Sequence, residues 1–314
     1  MKEPKWAWNK EFKYNDKEKE LLESIKKFLD RPLSPRWIYY GLYDEPNAKQ
    51  MKELNNILNK SRKDKNKILD RDMIVDDTRT PTIWKSYIDA SNFLERIKNQ
   101  YTKDIWNNQP EYVEVWIEDQ ASAEAVKRSP RHILQRFRIN VRATKGFNSL
   151  GAVWEAYKYL NEMDKPIKIL YFGDLNPSGW AIPIILVRQF QELGLNIELK
   201  RIGLNPEQLS QFNIPAFTKI SGDPRRAEFN KIFGYEEWEK EPLQKYLDEK
   251  TKKWKEGKKH LNIDLEKIPI KQFEDLLEES IKENIDLDNF QAIMDEEDFE
   301  IEEIKKKLGD TEDD

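Results

Sequence analysis

Asp174 and Asn176 stand two residues apart in YFGDLNPSGW, residues 171–180. The run before them, Ile167–Phe172, reads as a buried strand, and the apolar stretch over 181–193 reads as a helix. An acid and an amide at the C-terminal end of a strand occupy the place where open α/β sheets bind ligands. Oxygen donors there, on a turn set by Gly173, Pro177 and Gly179, suit a hard divalent cation that keeps several waters and meets phosphate oxygens. A second acid, Glu118, ends another strand-like run over 113–117. In a parallel sheet Glu118 and Asp174 project from the same edge, where two carboxylates can share one Mg²⁺ or Mn²⁺.

Composition narrows the alternatives. The chain has no cysteine, so disulfides and thiolate zinc sites are excluded. Its two histidines, His132 and His260, are far apart, and any metal must be held by oxygen. His132 reads as a surface or capping residue. At 314 residues the chain suits two domains, or one with extensions. It is polar, with 38% hydrophobic and 36% charged residues, yet ten Trp, fourteen Phe and twelve Tyr can build cores. No apolar run approaches the roughly 20 residues that span a bilayer. The first residues, MKEPKWAWNKEFKYNDKEK, lack the apolar core of a signal peptide, so a cytoplasmic (nucleoid-associated) location is expected. From Asp295 to Asp314 there are eleven acids and three lysines, which predicts a solvated acidic tail over 291–314.

The elements that must position these residues fall into two groups. Leu21, Leu22, Ile25, Phe28 and Leu29 form a helical stripe ended by Pro32. Ser34 and Pro35 then cap and open a short helix over 36–42, and Asn47 caps a third with Met51, Leu54, Ile57 and Leu58 on one face. A β-like piece follows over 72–76. Three helices and a short strand are the order of a winged-helix or helix-turn-helix unit, placed at 1–84. Its third helix and exit carry seven bases, Lys49, Lys52, Lys60, Arg62, Lys63, Lys65 and Lys67, against three acids. They fit either a solvated helix face or an element that touches phosphate. A connecting helix is expected within 85–110. Strands over 113–117, 138–141, 167–172 and 195–199 then alternate with helices over 122–127, 149–160 and 182–193. That alternation predicts an α/β unit at 111–290 with a mainly parallel sheet covered by helices.

These segments together resemble one family. VEVWIEDQASAEAV is similar to the first Toprim motif, with its strand-end glutamate. YFGDLNPSGW resembles the Toprim aspartate motif as it appears in the topoisomerase VI A subunit and the related meiotic double-strand-break transesterase. RATKGFNSLGAVWEA resembles the loop and helix between them, and SPRWIYY the helix that carries the nucleophilic tyrosine, with an arginine four residues before it. The resemblance continues through residues 201–226 and 263–269 and spans about 30–285. It implies an N-terminal winged-helix-like domain, a C-terminal Toprim domain, a homodimer, DNA as substrate and a separate ATPase subunit for strand passage. By position it implies Tyr40 as nucleophile, Arg36 as stabiliser of the transition state, and Glu118 and Asp174 as Mg²⁺ ligands, Glu118 also serving the motif's acid/base role.

The chemistry is coherent with those roles. A tyrosine has a pKa near about 10 and needs help to attack at pH 7. Arg36 and Tyr40 are i and i+4 on one helix and share a face. Tyr39 points about 100° away, and the residues alone leave open which tyrosine is core and which is free. The chain departs from the family at Asn176, where a second aspartate is usual; an amide ligates without charge, which predicts weaker metal binding. A Toprim nuclease that uses water, and a DNA-binding protein with little catalysis, are the alternatives. Lys145, Lys219 and Arg225, with Arg226, are further candidates for phosphate contacts.

Overall fold

The computed structural model describes residues 11–43, 47–64, 66, 68–70, 73–74, 86–98, 100–144 and 150–307. Three helices come first: α1 (Asp16–Phe28), α2 (Pro35–Leu42) and α3 (Ala48–Lys63). Asn15 and Asn47 each form a capping box, and Ser34 caps α2 with Pro35 at its first position, as the sequence signals require. Of the expected strand over 72–76 only Met73 and Ile74 are described; Ile74 forms a parallel bridge with Leu33. The connecting segment contains α4 (Ala90–Lys98).

The second part is mixed α/β, with a four-stranded parallel sheet flanked by helices. Its elements are β1 (Tyr112–Ile117), α5 (Gln120–Lys127), α6 (Ile133–Arg136), β2 (Asn140–Ala143), α7 (Leu150–Leu160), β3 (Ile167–Phe172), α8 (Pro177–Glu192) and β4 (Ile197–Gly203). The strand order is β2-β1-β3-β4. The chain leaves β1 toward β2, then crosses back to place β3 on the other side of β1. The order therefore reverses between β1 and β3, and that switch point is where such sheets open a crevice at their C-terminal edge.

Both faces of β1 and β3 are covered. Tyr112, Trp116, Ile169 and Tyr171 pack with α7 and α8 through Val153, Leu160, Leu186 and Phe190. Val113, Val115, Ile117, Leu170 and Phe172 face a larger core. That core also takes in Leu22, Ile25, Trp37, Ile38, Leu54 and Leu58 of the first three helices, so these helices dock on the sheet's other layer. Trp37 marks the junction: its ring meets Phe273 edge-on at 5.4 Å, and its Nε1–H donates to Ile268 O.

After α9 (Pro206–Gln211) comes an antiparallel sheet that the sequence pattern did not signal. It contains β5 (Thr218–Ser221), β6 (Gln244–Leu247) and β7 (Trp254–Leu261) in the order β5-β7-β6, with α10 (Arg226–Ile232) and α11 (Glu237–Lys240) between. The chain ends in α12 (Ile270–Lys282) and α13 (Leu287–Lys307). The acidic stretch was expected to be a solvated tail. Instead it continues α13 through Lys307, with Ile293 buried and Glu297 bound to Arg138 and the Lys103 N–H. Burial of Ile293 and these charge-assisted bonds hold an acid-rich helix against the body. Residues 308–314 lie outside the described residues.

Candidate active site

The edge acids are adjacent, as a parallel register demands. Ile117 pairs with Phe172, so Glu118 and Asp174 leave neighbouring strands side by side. Glu118 Oε2 accepts the Asp174 N–H at 2.8 Å, and Asp174 Oδ1 accepts the Leu265 N–H at 2.9 Å. The turn beneath them is fixed by Arg201 of β4. Its guanidinium donates to the carbonyls of Gly173, Asp174, Gly179 and Leu204 at 2.6–3.2 Å. Gly179 has no room for a side chain: an added Cβ would lie 2.4 Å from Asp174 O and 2.7 Å from Glu118 Oε2.

A third segment joins them. Leu175 and Ile263 form an antiparallel bridge, which carries Asp264 and the 3₁₀ turn Leu265–Lys267 to the edge. Glu266 is 2% exposed and sits with one oxygen 2.9 Å from Ser122 Oγ. The same hydroxyl contacts Asp119, the N-cap of α5. Burial, and then the charge of Asp119, raise Glu266 well above the usual carboxylate range.

From the other side α2 supplies Arg36 and Tyr40. The Arg36 guanidinium lies 3.9 Å from Glu266 Oε1. Burial opposes its charge, but Glu266, Asp264, Asp174 and Asp119 outweigh that and raise its pKa. The question of the two tyrosines resolves by burial. Tyr39 is 3% exposed and donates to Asn47 O at 2.7 Å, while Tyr40 is half-buried and donates to Asp264 Oδ2. Burial and the Asp264 charge push the Tyr40 phenol above its ordinary value, and Arg36 acts the other way. Lys267 Nζ stands 4.0 Å from the Tyr40 ring centroid. Asp174 is pushed up to about 7 by burial, then by Glu118 and Asp264.

Five carboxylates, Glu118, Asp119, Asp174, Asp264 and Glu266, thus share one edge with the cations Arg36 and Arg201. Among the described residues no three acids or histidines close around one point as a metal cage. Mg²⁺ does not require one: it is usually held by one or two carboxylates, several waters and substrate phosphates. The all-oxygen donor set and its excess negative charge fit such an ion, and Glu118 and Asp174 are the residues that would hold it. Asn176 has another task. Its Oδ1 accepts the Gly179 N–H at 2.8 Å as N-cap of α8, and its Nδ2 faces Asp174 at 3.3 Å. Turning the oxygen toward Asp174 would orphan that N–H.

Arg36, Tyr40, Glu118, Asp174 and Asn176 therefore meet, but most of the expected phosphate contacts lie elsewhere. Lys49 and Lys52 are exposed on α3, and Lys60 is bound to Glu18 at 2.7 Å. Arg225 is held by Asp223 at 2.7 Å, and Lys219 faces Glu249 at 3.7 Å. Lys145 and the side chains of Arg62 and Lys63 lie outside what is described. Asp264 and Glu266 were missed as site residues; the signal available was their alternation in IDLEKIP, within the segment 263–269. Comparison with protein-family models, curated proteins and solved structures finds no match for this chain.

Proposed function

We propose that this chain binds and cleaves DNA as a divalent-metal-dependent transesterase of the topoisomerase VI A-subunit type, with Tyr40 as nucleophile. The observation that carries the reading is the meeting of Arg36 and Tyr40 with the five carboxylates at the switch point of a parallel sheet. In this reading the α/β part is a Toprim domain and α1–α3 a winged-helix-like DNA-binding unit. The active species is a homodimer, with strand passage left to a separate ATPase subunit.

Asp264 is placed to take the Tyr40 proton. The Tyr40 oxygen then bonds to phosphorus, the bond from phosphorus to the 3′ oxygen breaks, and the departing 3′ oxygen takes a proton from water while Asp264 gives up the one it accepted to solvent. Arg36 grips a non-bridging oxygen and favours the phenolate. Mg²⁺ or Mn²⁺ at Glu118 and Asp174 would neutralise charge on the phosphate and leaving group.

One observation favours a second reading. Tyr40 rests as a neutral donor with a raised pKa, which suits hydrolysis by water with Tyr40 as a positioning group. Trapping denatured reaction mixtures separates the two. Transesterification gives a covalent protein–DNA adduct that disappears in Tyr40→Phe and in Glu118→Gln. Cleavage that survives Tyr40→Phe but not Glu118→Gln supports hydrolysis. Salt-sensitive binding without metal-dependent cleavage refutes both and leaves a DNA-binding protein.

A further inference from the structure

A cavity of about 370 Å³ opens beside Tyr40, between the end of α1, α2 and the start of α12. Its walls include Phe28, Trp37 and Tyr40, and three lysines, Lys27, Lys267 and Lys271, line it as well. Tyr40 is both a wall of this cavity and the donor to Asp264, so whatever fills the cavity lies next to the carboxylate cluster. We infer that it is a subsite for one unstacked nucleobase of a single-stranded DNA segment beside the phosphate held at that cluster. This inference rests on the function proposed above.

Three features argue for that occupant. Aromatic and aliphatic walls suit a flat ring, which stacks on such surfaces whatever its identity. The phosphates flanking that ring then meet lysines. Lys27 and Lys271 are exposed, and burial lowers the pKa of Lys267 without removing Asp264 as its neighbour. Among the described residues the acids on the wall are Glu266 and Asp30, and Arg31 reaches Asp30 at 3.0 Å while also binding the buried Glu274. The shape is also built in. The Phe28 ring lies against Gly41 so closely that an added Cβ would stand 2.0 Å from Phe28 Cζ.

Other cavities lack this combination. One of about 480 Å³ near the start of α8 carries Lys219, Lys250 and Lys255, but Asp223, Asp248 and Glu249 share its wall. Its buried His260 already has partners in Ser221 Oγ and Leu261 O. Another of about 480 Å³ along α8 and β4 has Trp180 and Phe233 but lies away from Tyr40. A base inside a duplex is stacked and cannot enter the cavity beside Tyr40. A strand that is already single, or one whose base has swung out, can do so.

The test uses the full chain and labelled oligonucleotides, read by fluorescence anisotropy. A single abasic site is moved along a single strand, and a duplex of the same sequence serves as control. Stacking of one base predicts that an abasic site at one position weakens binding by about 5- to 150-fold, while sites elsewhere change little. Ile270→Trp, which fills the cavity, should remove that positional difference and leave duplex binding unchanged. Lys271→Glu, an exposed change that keeps the fold, should weaken single-strand binding and reduce its salt slope by about one. Binding indifferent to abasic position, with cleavage intact, overturns this inference and leaves the proposed function standing. Absence of binding to any of these DNAs overturns both.

Discussion

Two acids on or just past the same strand show opposite ways of holding a charge. Glu114, in the middle of β1, is fully buried and saturated. It accepts from Tyr112 Oη and Trp116 Nε1 at 2.8 Å each, and from Arg142 at 2.7 and 3.0 Å. Four residues on, Glu118 enters a group of five carboxylates near two guanidiniums, one of which is occupied by backbone carbonyls. The cost of the imbalance appears in Asp174 and Glu266, both raised by burial and neighbouring acids. Glu266 keeps one buried oxygen with no partner. A structural ion pair is neutral and complete. The edge around Glu118 is crowded with acids instead, the pattern expected of a site that receives a cation or a substrate.

The largest effect should come from breaking the complete pair. Arg142→Leu leaves Glu114 as an uncompensated buried charge, and urea denaturation should show a loss of about 3–5 kcal/mol. Metal-dependent activity per folded molecule should not change. A loss below about 1 kcal/mol would show that Glu114 is less committed to Arg142 than its contacts suggest.

Asp174→Asn should have the opposite sign. Asp174 binds protons more tightly in the folded state than the ordinary value of about 3.9 allows. Between about pH 4 and about 7 the folded chain therefore carries the extra proton, and stability falls as pH rises through that window. At pH 8, without divalent metal, Asp174→Asn should be more stable than the native chain by on the order of 1–3 kcal/mol, and the gain should vanish near pH 4. It should also abolish metal-dependent cleavage. A destabilised variant at pH 8 would mean that Asp174 is held by its hydrogen bond to Leu265, with no excess charge to relieve.

The smallest effect belongs to charges outside both regions. Lys240 and Glu237 form a bridge in which each side chain is more than 70% exposed. Lys240→Ala should leave the midpoint of the same urea series unchanged, and a clear shift would show that this exposed pair matters.

The contrast was only partly legible in the sequence. The runs YVEVWI and IKILYF announce buried parallel strands because both faces are apolar, and the acids that follow fall at the strand ends. The Arg36 and Tyr40 spacing also gives their shared helix face. The three-stranded sheet was not legible: its longest strand, WKEGKKHL, is charged and starts exposed, so no alternation marks it. Asp264 and Glu266 could not be placed because proximity to Asp174 depends on one bridge, Leu175 to Ile263, across a long sequence interval. The acidic end of the chain hid a docked helix because composition there outweighs the few positions, such as Ile293, that make contact.

The central claim is that the edge around Glu118 and Asp174 carries more acid than Arg36 and Arg201 offset, while Glu114 is matched by Arg142. Thermal unfolding at pH 8 with increasing MgCl₂, against equal ionic strength of NaCl, tests this most directly. At Mg²⁺ about 100 times its Kd the native chain should gain about 2.7 kcal/mol, seen as a rise in Tm. Asp174→Asn and Glu118→Gln should lose that gain, and Arg142→Leu should keep it. A native chain indifferent to Mg²⁺, or an equal gain in Asp174→Asn, would contradict the account.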